Sequence, residues 1–204
     1  LQRYLLVRGA NDPALGWILL PAYEDDLPVG TDDAVGEGAY RLELLSRGRV
    51  VRTRSFDIPL LHSDPLDLAD LDSARPLAPS FAQRMPLPPE VDTVVLRENR
   101  VLVASRTRSA HAPTLQLFSP TAAGFLGQPA APRVVWEAQD LDGDPLFTRV
   151  DYLRAPAAPG DEDWQPLVLD HEIVELPVDL ATLPGSASAR VRVSVTDGSN
   201  TTSL

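Results

Sequence analysis

Three aspartates that alternate along a short turn are the residues of this sequence best suited to chemistry. Asp140, Asp142 and Asp144 lie within the stretch Val134–Leu146, where Gly143 permits a sharp bend. Carboxylates at positions i, i+2 and i+4 can converge on one hard cation, and Ca²⁺ is a cation that prefers such oxygen ligands. The spacing is not that of an EF-hand loop, because no downstream glutamate closes it.

The same acidic turn also has a purely structural interpretation. Its carboxylates can be solvated, or they can pair with Arg106 and Arg108, which precede the second half of the chain. Exposed ion pairs of that kind contribute about 0–1 kcal/mol. The residues by themselves leave Ca²⁺ binding and pairing with these two arginines open as alternatives, so Ca²⁺ is the only candidate cofactor.

Residues for covalent or acid–base catalysis do not form a recognisable set. The chain has no cysteine and no lysine, which excludes thiolate nucleophiles, thiolate zinc sites and disulfides. Its three histidines, His62, His111 and His171, are isolated in segments predicted to be a loop, a linker and a turn. Nucleophilic catalysis requires a base beside the nucleophile. We therefore predict that the protein is not an enzyme.

The charge balance restricts the partners of the protein. The 204 residues include 29 acidic and 18 basic side chains, for a formal net charge of −11. Such a surface repels phosphate backbones and anionic lipid headgroups, so we expect neither nucleic-acid binding nor membrane insertion. No run approaches the ~18 consecutive apolar residues that a membrane-spanning helix needs.

Alternating apolar and polar residues predict β-strands in the first half of the chain. The clearest pattern is a hairpin over Tyr40–Phe56, and a second hairpin follows at Val91–Ser105 with its turn at Glu98-Asn99. Glu24–Glu37 holds six acids and predicts a solvated loop, with a cation site of no recognisable spacing as the alternative. Leu60–Ser80 predicts a loop that lies across a sandwich. About seven short strands are expected, which is typical of an antiparallel β-sandwich.

The second half repeats the period of two with turn signals every 8–12 residues. Alternation is clear in Val174–Leu180 and Ala189–Val195, and one helical turn is expected at Leu180–Leu183. The proline-ended stretch 106–113 marks the boundary. We therefore predict an all-β protein of two tandem antiparallel β-sandwiches, with domains at residues 1–110 and 111–204.

The second domain resembles a fibronectin type III or related immunoglobulin-like module. Val134-Val135-Trp136 resembles the second strand with its core tryptophan, and Pro145–Leu153 the third strand. Asp163-Trp164, the turn Leu183-Pro184-Gly185 and the strand Ala189–Val195 follow in the order of that family. Ser188 and Ala189 stand where the family places a tyrosine.

This resemblance implies which loops share one end of the sandwich. In such a module the loop after the second strand lies at the same pole as the loop before the last strand, here Asp197-Gly198-Ser199-Asn200. Asp197 and Asn200 would then complete a metal shell with Asp140, Asp142 and Asp144. The chain also enters the domain at this pole.

A narrower resemblance concerns the context of the chain. The segments Ser119–Gly124, Val134–Leu146 and Ser194–Thr201 are similar to modules near the C-terminal end of large exported bacterial proteins, many of which carry a peptidase elsewhere. The chain starts at Leu1 without an initiator methionine, and we expect it to be part of a longer protein.

The resemblance implies a non-catalytic accessory, structural or interaction module of a secreted or surface bacterial protein. Its partners would be other domains of the parent protein, and its location extracellular, at the cell surface or periplasmic. The alternative is a Ca²⁺-stabilised adhesion module or one that binds a protein or glycan. A glycan would stack on tryptophans, but Trp136 is expected in the core, which leaves Trp17 and Trp164 as candidate platforms.

Overall fold

A computed structural model describes most of the chain. The description covers residues 1–30, 37–58, 78–120, 132–154, 164–172, 174–186 and 188–204. The loop predicted at Leu60–Ser80 therefore lies outside the described residues up to position 77, as do positions 31–36 of the predicted acidic loop.

The chain divides into two compact units. The first consists of Gln2–Asp25 and Val29–Arg108, and the second of Ser109–Leu204 together with Leu1 and Asp26–Pro28. The main division falls between Arg108 and Ser109, two residues before the boundary expected from the sequence. Among the described residues, no helix is long and apolar enough to cross a membrane.

In the described part of the first sandwich, the strands form two four-stranded sheets. In one sheet, β1 pairs with β2, β3 and β6, and in the other the order is β5-β4-β7-β8. The strands are β1 (Gln2–Asp12), β2 (Gly16–Leu19), β3 (Tyr23–Leu27), β4 (Tyr40–Ser46), β5 (Arg49–Phe56), β6 (Ser80–Pro86), β7 (Thr93–Glu98) and β8 (Val101–Thr107).

Two-residue turns close both predicted hairpins. Arg47 and Gly48 have φ values of 50° and 75°, as the primed turns that match strand twist require. The β7–β8 hairpin turns at Asn99 and Arg100, with φ values of 47° and 74°. The second turn therefore lies one residue later than the sequence suggested.

Apolar side chains from both sheets meet in one core. Leu5 and Val7 of β1 pack with Leu42 and Leu44 of β4, in a cluster that also contains Trp17. The Trp17 ring lies 5.3 Å from that of Tyr40 in an edge-to-face arrangement. Burial of one face of each sheet is the main source of stability in such a fold.

A strand, β3, replaces the beginning of the predicted acidic loop. Glu24 and Asp25 are buried, with 8% of each residue exposed, although the composition of Glu24–Glu37 predicted full solvation. Glu24 accepts hydrogen bonds from Arg3, at 3.4 Å, and from Arg108. Ion pairing explains how an acidic residue can occupy a buried strand position. With β3, the described part of the first sandwich has eight strands.

Among its described residues, the second sandwich has one sheet of three strands and one of four. The orders are β13-β10-β9 and β12-β11-β14-β15, with antiparallel pairing throughout both. The elements are β9 (Thr114–Ser119), β10 (Arg133–Gln139), β11 (Phe147–Leu153), β12 (Gln165–His171), β13 (Glu175–Pro177), a 3₁₀ turn (Leu180–Thr182), β14 (Arg190–Thr196) and β15 (Thr201–Ser203). The fold is therefore all-β, as predicted.

Trp136 lies in the core of the second sandwich with 2% of its surface exposed. It packs with Val150 of β11 and Val193 and Val195 of β14, all fully buried. The corner before β14 is held by Tyr152, whose hydroxyl donates to the carbonyl oxygen of Pro184. A tyrosine of β11 thus contacts this corner, although none follows Pro184 in the sequence.

Candidate functional site

The acidic turn between β10 and β11 is folded by one of its own carboxylates. Asp140 Oδ1 accepts hydrogen bonds from the backbone N–H groups of Asp142, at 2.8 Å, and Asp144, at 3.2 Å. Gly143 has a φ of 75°, a conformation that glycine adopts readily. One oxygen from each of the three aspartates lies within 4.8 Å of the others. The turn therefore brings the three predicted ligands together.

Residues just before β9 bind this turn. Ser109 Oγ lies 2.6 Å from Asp142 Oδ2 and 2.7 Å from Asp144 Oδ2. The backbone N–H of His111 donates to Asp142 Oδ2, and its ring Nδ1 lies 2.8 Å from Asp142 Oδ1. Both oxygens of Asp142 are thus engaged by the segment Ser109–His111.

The loop Asp197–Asn200 holds the same segment from its backbone. Asn200 Nδ2 lies 3.2 Å from the carbonyl oxygens of Ser109 and His111, and Ser199 Oγ accepts from the N–H of Ser109 at 3.1 Å. Asp197 Oδ1 accepts from the backbone of Ser199 and Asn200, each at 2.7 Å. These contacts fix the loop against the segment that precedes β9.

The five predicted ligands therefore divide into two sets. Asp140, Asp142 and Asp144 converge, whereas Asp197 is outside their group. The carboxylate of Asp197 is occupied by hydrogen bonds within its own loop, and the amide nitrogen of Asn200 faces backbone carbonyls. Both loops contact Ser109, and we call the loops Asp140–Asp144 and Asp197–Asn200 with the segment Ser109–His111 the entry clasp.

The two arginines that the sequence offers as alternative partners of the turn contact residues of β2 and β3. Arg106 donates to the carbonyl oxygen of Leu19 at 2.7 Å, and Arg108 forms an ion pair with Glu24. The acidic turn accepts hydrogen bonds from Ser109 and His111, in addition to those within the turn. The sequence indicated the arginines as partners of the turn because of their charge. The serine and the histidine that bind the turn lie closer to the start of β9.

In the entry clasp, His111 and Asp142 each shift the pKa of the other toward the ionised form. The hydrogen bond that the carboxylate of Asp142 accepts from the ring of His111, together with the charge of Asp142, raises the pKa of His111 above its usual value. The pKa of Asp142 is held well below its usual range by the hydrogen bond of Ser109 first, and then by those of His111. The pair is therefore ionised over a wide pH interval below neutrality.

The arrangement of serine, histidine and aspartate is not that of a nucleophile activated by a base. The hydroxyl of Ser109 is directed at carboxylates, while the imidazole of His111 contacts Asp142. In a catalytic triad the imidazole lies between the hydroxyl and the carboxylate. His111, which the sequence presents as isolated, therefore contacts the acidic turn through both its ring and its backbone.

The three tryptophans do not form an exposed platform. Trp17 and Trp136 are buried, with 8% and 2% of their surfaces exposed. Trp164 is half-buried, and the guanidinium of Arg192 lies over its ring at 4.5 Å.

A search of protein-family models, characterised proteins and solved structures finds no match for this chain.

Proposed function

We propose that the chain is a non-catalytic accessory module of a larger exported bacterial protein. Its two sandwiches serve to space, stabilise or present other domains of that protein. The observation that carries this proposal is the use of the reactive side chains: Ser109, His111 and Asp142 bind one another and fix the chain where it enters the second sandwich.

The arrangement of strands supports an immunoglobulin-like assignment for the second sandwich. Seven antiparallel strands in sheets of three and four, within about one hundred residues, are typical of that class. Trp136 occupies the core from β10, as the resemblance to fibronectin type III modules implied.

Limited proteolysis tests the role of the clasp. Trypsin cleaves after arginine, and Arg106 and Arg108 immediately precede Ser109. We expect the double variant Ser109→Ala/His111→Ala to be cut after Arg108 at least about tenfold faster than the unmodified chain, because local opening exposes the backbone. Ser186→Ala, in an exposed loop, is the matched control and should leave the rate unchanged. Equal rates for the double variant and the unmodified chain would remove the support for a structural clasp.

Turnover and location test the rest of the proposal. The unmodified chain should show no turnover on chromogenic esters, glycosides or peptides. Hydrolysis that disappears in Ser109→Ala would contradict a non-catalytic role.

The parent protein should be recovered from the medium, the cell surface or the periplasm after fractionation, and recovery in the cytoplasm would contradict export.

A second candidate function, a Ca²⁺-stabilised module, is favoured by the oxygens of the acidic turn. Ser109 has a single hydroxyl proton, so it can donate to Asp142 or to Asp144 but not to both at once. Within the described part of the chain, Asp140 Oδ2 is buried and accepts no hydrogen bond. A hard cation would satisfy Asp140 Oδ2 and whichever of Asp142 Oδ2 and Asp144 Oδ2 does not receive the Ser109 proton. Carboxylate oxygens are also the ligands that Ca²⁺ prefers.

Calorimetric titration with Ca²⁺ distinguishes the two candidates. A Ca²⁺ site predicts saturable heat and a higher melting temperature in millimolar Ca²⁺, both lost in Asp144→Asn and retained in the exposed control Asp179→Asn. No heat and no change in melting temperature would leave the clasp as a purely hydrogen-bonded structure.

A further inference from the structure

Two arginines stand directly opposite each other on the sheet β5-β4-β7-β8 of the first sandwich. Arg41 of β4 pairs with Arg97 of β7 in the antiparallel register. Their neighbours Leu42 and Leu96 pair at the adjacent position and are fully buried in the core, so the two arginines point to the outer face of the sheet. The Cβ atoms of directly opposed residues lie about 5 Å apart, and like charges at such positions oppose strand pairing.

One buried carboxylate lies beside the two guanidinium groups. Glu43 follows Arg41 by two positions on β4, so it shares the outer face, yet only 6% of the residue is exposed. Its Oε2 accepts a hydrogen bond from Nε of Arg97 at 2.8 Å, and its Oε1 lies 4.0 Å from Nη1 of Arg41. Within the described residues, Glu43 is the only acid that pairs with either arginine. One negative charge therefore faces two positive charges, and the cluster keeps a net positive charge.

The guanidinium group of Arg97 is held in place and still has donors to offer. Besides the bond from its Nε to Glu43, its Nη1 donates to the carbonyl oxygen of Arg100 at 3.4 Å. A guanidinium carries five N–H donors in a planar fork, so these two bonds orient Arg97 without using all of its donors. The side chain of Arg41 is 49% exposed, and within the described part of the chain it forms one ion pair, with Glu43. The two arginines therefore present N–H donors to solvent that the fold does not use.

Residues on either side of the two arginines complete a row across the sheet. Ser55 of β5 pairs with Arg41, and Leu102 of β8 pairs with Arg97, so all four side chains lie on the outer face. Leu102 is exposed, although it is apolar. The row therefore offers hydrogen-bond donors from the serine to Arg97 and an apolar surface beyond them. This order suits a ligand in which an anionic group is attached to an uncharged remainder.

The number of acceptor oxygens distinguishes between the candidate anions. A carboxylate has two oxygens, which the fork of a single guanidinium can satisfy. A phosphate group has three terminal acceptor oxygens, so it can accept hydrogen bonds from Arg41 and Arg97 at the same time. Arginine is well suited to phosphate because its planar fork matches the geometry of the oxygens. The net positive charge of the cluster also favours a group that carries more than one negative charge, as phosphate does near neutral pH.

We propose that Arg41 and Arg97 bind the phosphate group of a small phosphorylated ligand. The phosphate lies on the outer face of the sheet between the two guanidinium groups, and the rest of the ligand extends over Leu102. Glu43 orients Arg97, and its charge limits the affinity because it repels the anion. Two like charges placed opposite each other conflict with stable pairing, and such local conflicts are typical of functional sites. The site shares no residue with the entry clasp, so it is tested independently of the accessory role.

The probe is inorganic phosphate, titrated into the full chain by calorimetry at low ionic strength. We expect saturable binding in the millimolar range that weakens at least about tenfold in Arg41→Gln, because one of the two guanidinium groups is lost. Arg41 is exposed and outside the core, so this variant should remain folded. Arg49→Gln, at an exposed arginine of β5, removes the same charge and should bind phosphate like the unmodified chain. No saturable binding at tens of millimolar phosphate, or equal binding by Arg41→Gln and Arg49→Gln, overturns the proposal.

Glu43→Gln distinguishes a phosphate site from a purely structural cluster. Glutamine keeps an oxygen that can accept from Nε of Arg97 but removes the competing negative charge, so this variant should bind phosphate at least about tenfold more tightly. Phosphate should then raise the melting temperature of Glu43→Gln more than that of the unmodified chain, whereas chloride at the same ionic strength should not. If the arginines serve only to neutralise Glu43, phosphate and chloride will act alike on this variant, which would contradict the site. Should Glu43→Gln fail to fold, the comparison of Arg41→Gln with Arg49→Gln decides.

Two further probes distinguish the sources of the phosphate group. Glycerol 3-phosphate should bind the full chain at least as tightly as inorganic phosphate, because its carbon chain can extend over Leu102. Vesicles of neutral phospholipid and vesicles that also contain anionic phospholipid should both leave the chain in the supernatant after centrifugation. Cosedimentation with the anionic vesicles that is lost in Arg41→Gln would assign the site to a lipid headgroup and overturn the proposal of a small ligand.

Discussion

The ring Nδ1 of His111 lies 2.8 Å from Asp142 Oδ1. This contact joins a residue that precedes β9 to the turn between β10 and β11, 31 positions later. The same carboxylate accepts from the backbone N–H of His111. The pair therefore fixes both the side chain and the backbone of the entry segment.

The ionised pair predicts a stability maximum at mildly acidic pH. Folding raises the pKa of His111, so its contribution is complete below about pH 6.5 and is lost as the pH rises through the folded pKa. Folding lowers the pKa of Asp142, so its contribution is present above about pH 4 and is lost as the pH falls. The pair should contribute most between these two values.

Melting curves from about pH 3 to pH 9 measure this effect. His111→Gln should lower the melting temperature near pH 5.5 and should converge with the unmodified chain as the pH rises through the folded pKa of His111. Asp179→Asn, at an exposed turn, serves as the control and should follow the unmodified chain. A constant difference at every pH would show that the charge of His111 does not stabilise the clasp.

Asn200 provides a test of the second loop of the clasp. Its side-chain nitrogen donates toward the carbonyl oxygens of Ser109 and His111, and only 5% of the residue is exposed. Asn200→Asp keeps the shape but replaces a donor with an acceptor, so we expect a loss of about 3 kcal/mol in the free energy of unfolding. Chemical denaturation measures it. The same exchange at the exposed Gln116, Gln116→Glu, should change stability by less than about 0.5 kcal/mol.

Glu24 provides a test in the first sandwich. Its carboxylate is buried and pairs with Arg3 and Arg108. Glu24→Gln removes the charge that both guanidinium groups face, and we expect a loss of about 3 kcal/mol in denaturant unfolding. Glu90→Gln, at an exposed position, is the control. Similar free energies of unfolding for Glu24→Gln and Glu90→Gln would show that the charge of Glu24 does not stabilise the fold.

Gly38 should not tolerate a side chain. A Cβ atom at this position would lie 2.2 Å from the backbone carbon of Phe56 and 2.6 Å from the nitrogen of Asp57. Backbone atoms in a strand cannot move aside cheaply, so Gly38→Ala should cost about 3 kcal/mol. Gly185→Ala meets no atom within 4 Å and should be nearly neutral by thermal melting. Equal changes in melting temperature for Gly38→Ala and Gly185→Ala would contradict the close approach of Gly38 to the end of β5.

The positions of strands could be predicted from the sequence where one face of a sheet is buried and the other is exposed to solvent. The hairpin at Tyr40–Phe56, the strand that carries Trp136 and the helical turn near Leu180 were all predicted close to their observed positions. Alternation reports burial directly in such segments, because successive side chains point to opposite faces.

The prediction was wrong where pairing partners lie far away along the chain. Glu24 and Asp25 resemble loop residues by composition, yet they lie in β3, and Arg108, 84 positions later, forms an ion pair with Glu24. Arg106 likewise donates to the carbonyl oxygen of Leu19, 87 positions earlier, a contact that no local pattern indicates.

The sequence by itself determined the all-β class and the three aspartates of the turn, because side-chain alternation and short-range spacing are local properties. The tertiary structure decided what binds those aspartates. Ser109 and His111 reach Asp142 only because two loops from distant strands close around one segment.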